Sequence, residues 1–313
     1  MKNPVILHSW SLGREILSGH YPVERVVHLA SKYGFAGVEW LDRLMPSYDP
    51  RLWSELAIVN QDNACDFNAL SLCLEIGAPP PVLAEQVDRA KMVLGLGARL
   101  GIQAVRVSVG GSGRASIGRV LGALERLRTK RSRQKRPLGL LSRLAYKMMI
   151  RVPASRRDRP PPPRADQKTL QRAAWVLQPL ARQARELGMV MGLENHYGPT
   201  SHPEDMLEIL KLCGNGLGIC LDMGNFCPGQ DPVAATRLLA PRVVHVHFKV
   251  LSARAVEEID SETYPVMLKT LWEQGYSGMF SLESEGEGRG LEGAVAGSEL
   301  LRIIWSKWEA GRL

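Results

Sequence analysis

The sequence lacks the features of a secreted disulfide scaffold and of a membrane protein. Its 313 residues include five cysteines, an odd number without CxxC spacing, and a chain of this length buries a core without cross-links. No apolar run approaches the roughly 18 residues needed to span a bilayer. No charged start followed by an apolar stretch and a cleavage site is present. We therefore expect a soluble, cytoplasmic protein without a cysteine-ligated zinc site.

A single segment accounts for the basic character of the chain, whose net charge is +8. Between Ser112 and Lys168 there are 17 Lys and Arg against 3 Asp and Glu, a local net charge of +14. The remaining residues together carry −6. An argument from net charge to a polyanionic partner therefore concerns only this segment, which we call the basic insertion.

Outside the basic insertion, short apolar runs alternate with helical patterns. The predicted strands lie at residues 5–10, 35–40, 69–76, 103–109, 189–195, 217–222, 243–249 and 279–283. Eight short, nearly continuous apolar strands with helices between them indicate a buried parallel sheet. An open doubly wound sheet usually has a glycine fingerprint after its first strand, and none follows here. We predict a single α/β domain over residues 1–313, a closed (β/α)₈ TIM barrel.

The basic insertion, residues 112–168, falls in the β4–α4 loop, and such loops lie on the catalytic face of a barrel. It contains helical patterns at 117–127 and 138–150. Two functions stay open: a lid that supplies arginine to an anionic substrate group, and a docking element for an anionic membrane surface or a protein partner. We do not expect nucleic acid, because Tyr146 is the only aromatic residue available for base stacking. An oligomer is also left open.

Four predicted strands have an acidic or imidazole residue at or near the carboxyl end: Glu194, Asp222, His247 and Glu283. They are 28, 25 and 36 residues apart, about one βα unit each, so a barrel brings them to one mouth. Any one of the carboxylates is equally well explained as a helix cap. The set of four favours one divalent metal ion, Mn²⁺, Mg²⁺, Co²⁺ or Zn²⁺, because its donors are hard oxygens and an imidazole nitrogen.

Five motifs resemble those of the xylose isomerase-like barrel superfamily, the sugar phosphate isomerases and epimerases. They are Gly34-Phe-Ala-Gly-Val-Glu, Leu193-Glu-Asn-His, Leu221-Asp-Met-Gly-Asn, His245-Val-His-Phe-Lys and Gly275-Tyr-Ser-Gly-Met-Phe-Ser-Leu-Glu. The superfamily also includes ketose 3-epimerases, inosose dehydratases and endonuclease IV. The resemblance implies metal ligation by the same four residues, and it covers the whole chain except the basic insertion.

The chain departs from parts of this superfamily at two positions. The three-metal cluster of endonuclease IV needs further histidines, and Asn225 stands three residues after Asp222 where one of them would be. Many relatives have His-x-Lys-Asp on strand seven, whereas Val250 follows Lys249 here. The first departure argues against a phosphodiesterase, and the second weakens a dehydratase assignment that needs the aspartate.

The activity that fits is isomerisation or epimerisation of a sugar or related polyol. A metal-polarised ketone lowers the cost of an enediolate, and Glu194 and Glu283 are predicted to carry protons as well as bind the metal. One alternative is a metal-dependent lyase or dehydratase acting on keto-sugars or inososes. A second alternative is a barrel without activity that binds partners through the basic insertion.

We expect a further group of residues around the same mouth to contact the substrate: His196, Lys249, His245, Glu39, Trp10, Trp40 and Asn225. Most of these residues also have a simpler structural explanation. Lys249 would pair with a strand-end acid such as Glu285, the two tryptophans would form pocket wall, and His245 would lie behind the ligands. His8 and His202 are interpreted as structural.

Overall fold

The computed structural model describes residues 3–110, 163–227, 229–250, 263–285 and 290–313. Within them, parallel strands form a closed barrel in sequence order, with the last strand paired to the first. The strands are β1 (Val5–His8), β2 (Gly37–Leu41), β3 (Phe67–Glu75), β4 (Ile102–Gly110), β5 (Val190–Glu194), β6 (Leu217–Asp222), β7 (Val243–Val250) and β8 (Phe280–Ser284). The predicted TIM barrel is confirmed.

A helix follows each strand of the barrel. These helices are α1 (Val23–Lys32), α2 (Pro50–Asp62), α3 (Pro80–Leu100), α4 (Gln167–Glu186), α5 (Pro203–Cys213), α6 (Pro232–Leu239), α7 (Thr263–Glu273) and α8 (Gly290–Glu309). A short helix, Gly13–Leu17, precedes α1. The first strand is shorter than predicted, because His8 Nδ1 accepts a hydrogen bond from Trp10 N and a 3₁₀ turn begins there.

Side-chain alternation along the strands separates an apolar outer layer from the barrel interior. The outer faces pack against the helices and form the main hydrophobic core. At the amino-terminal end of the interior, four apolar side chains form a separate small cluster: Ile6, Ala69, Ala104 and Met279. Gly192 lets β5 approach β6, because a Cβ there would lie 2.7 Å from Cys220 N. Because the apolar cluster occupies only the amino-terminal end, the carboxyl-terminal half of the interior is left for polar groups.

The basic insertion joins the end of β4 to α4. Residues 111–162, including both predicted helical segments, lie outside the described residues, so its roles as lid or docking element stay predictions. Just before α4, Arg164 Nε lies 2.6 Å from Asp205 Oδ1. Ala165 N donates to Asp205 Oδ2 at 2.9 Å. Asp205, buried in the first turn of α5, therefore anchors the residues that precede α4.

None of the helices in the described ranges combines the length and the apolar character needed to cross a bilayer.

Candidate metal centre

The four predicted ligands converge at the carboxyl end of the barrel. Glu194 and Asp222 are the last residues of β5 and β6, and His247 and Glu283 lie near the ends of β7 and β8. One donor atom from each lies within 4.8 Å of the others. Glu194, Asp222 and His247 are fully buried, and Glu283 is 5% exposed. Residues that are 89 positions apart in the chain thus share one small polar space.

The donor set fits a divalent metal ion. Within the described residues, the buried carboxylate atoms Glu194 Oε1 and Asp222 Oδ2 lack a hydrogen bond of good geometry, and each has only a nearby nitrogen, of His247 and Lys249 respectively. Unsatisfied buried oxygens are costly, and a bound cation removes that cost. His247 Nδ1 faces the same space, 3.1 Å from Glu283 Oε2 and 3.3 Å from Glu194 Oε1. Carboxylate oxygens and one imidazole nitrogen suit Mg²⁺, Mn²⁺, Co²⁺ or Zn²⁺.

Two buried cations offset the negative charge of the carboxylates. Arg106, on β4, donates from Nη2 to Glu194 Oε2. Lys249 Nζ lies 3.0 Å from Asp222 Oδ2 and 3.7 Å from Glu283 Oε2. It is also 3.5 Å from Glu285 Oε2, so the ion pair expected as an alternative for Lys249 is present. These pairs make the burial of several carboxylates tolerable.

The carboxyl groups of the site differ in proton affinity. Burial raises the pKa of Asp222 to about 7, and Lys249 only partly opposes this effect. Burial also acts to raise the pKa of Glu194, but Arg106, His196 and His247 together outweigh it, and the pKa falls to about 2. For Glu283, burial acts in the same direction, but Lys249, His8 and His247 together outweigh it and hold the pKa well below its ordinary value. Asp222 is therefore the carboxyl group that holds a proton near neutral pH.

Side-chain clips hold the strand ends that carry the ligands. Ser11 Oγ donates to Leu282 O at 3.3 Å and accepts from Ser284 N at 2.9 Å. These two backbone groups flank Glu283, so the clip fixes the end of β8 against the segment after β1. Asn195 bridges the ends of β5 and β6 in a similar way. Such clips restrict the positions of the ligands before any ion binds.

Glu39 lies beneath the four ligands and does not reach the mouth. Its carboxylate is fully buried and accepts hydrogen bonds from Ser71 Oγ at 2.6 Å and His245 Nε2 at 2.8 Å. His247 Nε2 lies 3.1 Å from both of its oxygens. Both side chains are 0% exposed and lie within hydrogen-bond distance of each other, and the predicted substrate contacts of Glu39 and His245 stay predictions. For His245, the alternative of a place behind the ligands agrees with the structure.

The two tryptophans differ in position. Trp40 follows Glu39 on β2, so its side chain points to the outer face, where it is 1% exposed and packs in the main core. Its predicted stacking on a sugar stays a prediction. Trp10 lies in the turn after β1, half-buried against Leu41 and Leu44. Its contact with a substrate stays a prediction.

Two polar atoms beside the ligands have no hydrogen-bond partner in the described part of the chain. One is His196 Nδ1, and the other is Asn225 Nδ2. Burial lowers the pKa of His196 to about 4, so its imidazole is neutral. Asn225 Oδ1 accepts from Lys249 Nζ at 2.8 Å, which turns the amide so that its nitrogen is unused. The predicted roles of both residues in substrate binding remain open to test.

Sequence reasoning missed His8 and Arg106 as parts of this cluster. The His8 ring packs edge-to-face against that of His247 at 5.0 Å, and burial lowers the pKa of His8 to about 4. Alternation with Ile6 on β1 was the available signal for its inward direction. For Arg106 the signal was a lone charge within an otherwise apolar strand. His202 directly precedes α5.

Comparison with known proteins agrees with this geometry. A family model described as the xylose isomerase-like TIM barrel matches residues 27–304. The chain belongs to this family. No curated protein sequence matches this xylose isomerase-like barrel.

Solved structures similar to this xylose isomerase-like barrel share its fold over nearly the whole chain. An L-ribulose 3-epimerase superimposes with a TM-score of 0.67 at 15% identity, covering 99% of this chain and 98% of its own. A family member from Mycobacterium smegmatis in complex with magnesium gives 0.66 at 14%, with 97% of each chain covered. A probable 3-DHS dehydratase from Bacillus anthracis gives 0.60 at 16%, covering 96% and 98%. At these identities the likeness concerns the fold.

Proposed function

We propose that this protein is a divalent-metal-dependent isomerase or epimerase that acts on a sugar or a related polyol. The observation that carries the proposal is the convergence of Glu194, Asp222, His247 and Glu283 at the mouth of a xylose isomerase-like barrel. The similarity to an L-ribulose 3-epimerase and to a magnesium complex of the same family supports it.

The two glutamates have the proton-carrying role in this mechanism. A divalent ion held by the four residues would polarise a substrate carbonyl and acidify the neighbouring C–H. Glu194 and Glu283 approach from β5 and β8, with β6 and β7 between them, so they reach the substrate from different sides. One carboxylate takes the proton and the other delivers one to the opposite face, which inverts that carbon. Return of the proton to the adjacent carbon is isomerisation.

Three further side chains are suited to hold the substrate. Lys249, 4% exposed among the carboxylates, would stabilise negative charge that develops on a substrate oxygen. The unused atoms His196 Nδ1 and Asn225 Nδ2 would exchange hydrogen bonds with sugar hydroxyls. Each would satisfy a buried polar atom that lacks a partner among the described residues.

Solvent-exchange measurements test this proposal. Ketopentoses and ketohexoses are incubated with the Mn²⁺-loaded protein in D₂O, and deuterium at the carbons next to the carbonyl is followed by NMR. We expect incorporation with the wild type and its loss in Glu194→Gln and Glu283→Gln at saturating Mn²⁺. Glu186→Gln, at the exposed end of α4, is the matched control. Unchanged exchange in both ligand variants would refute the proton-carrier roles.

A lyase or dehydratase acting on keto-sugars or inososes is the second candidate function. The Arg106–Glu194 ion pair favours this function. It engages one of the two glutamates and leaves the other as a base, and an elimination needs only one base. The dehydratase among the similar structures also supports it. Product analysis on a ketose and on a 3-keto glycoside separates the two functions: an epimer or isomer supports the first, and a dehydrated or cleaved product the second.

A barrel without activity that binds partners through the basic insertion is the third candidate. Metal analysis of the purified protein tests this candidate. Stoichiometric Mn²⁺, Mg²⁺, Co²⁺ or Zn²⁺ at the four residues would contradict a barrel that only binds partners. Cytoplasmic location and oligomeric state remain predictions.

A further inference from the structure

The two ring nitrogens of His247 face different groups. Nδ1 points to the carboxylates of the candidate metal centre, 3.1 Å from Glu283 Oε2. Nε2 points away from it and lies 3.1 Å from both oxygens of Glu39. Which nitrogen carries the hydrogen decides whether His247 can bind a metal, because a nitrogen that bears hydrogen has no lone pair for an ion.

A chain of hydrogen bonds that starts at a backbone amide fixes the direction of the contacts around Glu39. Trp10 N can only donate, so His8 Nδ1 is its acceptor at 3.1 Å, and the ring hydrogen of neutral His8 is on Nε2. His8 Nε2 then donates to Ser71 Oγ at 3.2 Å. The Ser71 hydroxyl in turn donates to Glu39 Oε1 at 2.6 Å.

Glu39 Oε1 is therefore an acceptor, and as a carboxylate Glu39 has no hydrogen to give. Ser71 donates to one oxygen, and His245 Nε2 donates to the other at 2.8 Å. His247 Nε2, at 3.1 Å from both oxygens, meets a carboxylate that can only accept. In the neutral form of His247 the single hydrogen consequently lies on Nε2, and the lone pair on Nδ1 is directed at the candidate metal centre.

The same directions argue against a metal ion between His8, Glu39 and His247. His8, Glu39 and His247 lie close enough together to hold an ion. In these directions, however, His247 presents its N–H to the Glu39 carboxylate and His8 presents its N–H to Ser71, so neither facing nitrogen has a lone pair for an ion. The cluster is a set of hydrogen bonds that orients one ligand.

We propose that Glu39 is a positioning residue that selects the metal-binding form of His247, and that the His8–Ser71 chain holds Glu39 in place. This inference rests on the proposed function, because it assumes a divalent ion at the four predicted ligands. It assigns to Glu39 a role that needs no contact with substrate. It also gives His8 a function in place of the structural role predicted for it.

Isothermal titration of the full chain with Mn²⁺ tests the inference at fixed pH. A residue that orients a ligating histidine typically contributes roughly 10- to 100-fold to metal affinity, so we expect a loss of that size in Glu39→Gln. In that variant an amide N–H₂ replaces one acceptor oxygen and opposes one of the histidine donors. Ser71→Ala is expected to lose several-fold in affinity, roughly the effect of one hydrogen bond.

Ser281→Ala is the matched control. Its hydroxyl is buried in the same barrel interior, on β8, and makes no hydrogen bond within the described residues. We expect wild-type affinity there. Equal Mn²⁺ affinity in Glu39→Gln and the wild type would overturn the inference and leave the proposed function intact. Absence of Mn²⁺ binding by the wild type would instead refute the proposed function, and the inference with it.

Nitrogen-15 NMR of the Zn²⁺-loaded wild type covers the case in which Glu39→Gln does not fold. We expect the His247 signals, assigned by their loss in His247→Asn, to show hydrogen on Nε2 and metal on Nδ1. The reverse arrangement would overturn the inference without any variant at position 39.

Discussion

Asn195 and Asp222 exchange two hydrogen bonds across the ends of β5 and β6. Asn195 Nδ2 donates to the Asp222 carbonyl oxygen at 2.8 Å, and Asp222 N donates to Asn195 Oδ1 at 2.7 Å. A side chain thereby replaces backbone pairing at the point where the two strands separate. Since Asn195 follows Glu194 directly, one residue couples the positions of two predicted ligands.

Asn195→Asp should loosen this connection. The carboxylate still accepts from Asp222 N, but it places a second acceptor against the Asp222 carbonyl oxygen. We expect the free energy of unfolding to fall by about 2 kcal/mol, the cost of a buried acceptor without a donor. Mn²⁺ affinity should fall as well, because Asp222 is less well held. Urea unfolding and Mn²⁺ titration measure the two effects, and wild-type values in both would contradict the clip.

Arg106→Met should destabilise the metal-free protein strongly. It leaves Glu194, 0% exposed, without its cationic partner, and breaking a buried pair in this way costs about 3–5 kcal/mol. Arg106→Lys retains the charge and should lose less. Thermal unfolding of the three proteins compares them. Added Mn²⁺ should recover part of the loss in Arg106→Met, since an ion also neutralises Glu194. A Tm equal to that of the wild type would contradict this account.

Metal affinity should rise with pH, because protons compete for two of the predicted ligands. Asp222 holds one up to about pH 7, since burial raises its pKa to about 7. Burial acts to lower the pKa of His247, but Cys220 and Glu39 raise it well above the ordinary value. The metal thus displaces about two protons below pH 7 and about one above it, so the slope of log affinity against pH should drop from about 2 to about 1.

Mn²⁺ titrations at a series of pH values check this slope. Asp222→Asn is the informative variant, because it removes the carboxyl group that titrates near pH 7. It should bind Mn²⁺ more weakly and show no change of slope there. An affinity that is independent of pH would show that neither group is a ligand.

Replacing residues 112–162 with a short Gly/Ser linker should leave the barrel folded. β4 pairs with β3 and β5, and α4 is anchored by the Arg164–Asp205 contact, all of which lie among residues that the replacement retains. Circular dichroism and thermal unfolding measure the fold. Co-sedimentation with anionic liposomes at low salt then tests the predicted docking role: binding by the full chain that is lost on deletion supports it, and no binding by the full chain excludes a membrane surface.

The alternation of strands and helices was readable from the sequence, because parallel strands buried on both faces are almost continuously apolar. The four predicted ligands could be found because each stands near the carboxyl end of a strand, and a barrel brings those ends together. Alternation on β7 also placed His245, His247 and Lys249 on one face. These inferences depend on local pattern and on a single assumption about barrel closure.

Contacts between distant strands were decided by the tertiary structure alone. Glu39 and His247 are 208 positions apart, and nothing local distinguishes a carboxylate that binds a sugar from one that orients a histidine. The pairing of Arg106 with Glu194 likewise depends on the register between β4 and β5. The amino-acid sequence by itself determined which residue types stand near the carboxyl ends of the strands. Strand register and barrel closure decided which of them face the mouth and which lie beneath it, because a hydrogen bond requires its two atoms to meet within about 3 Å.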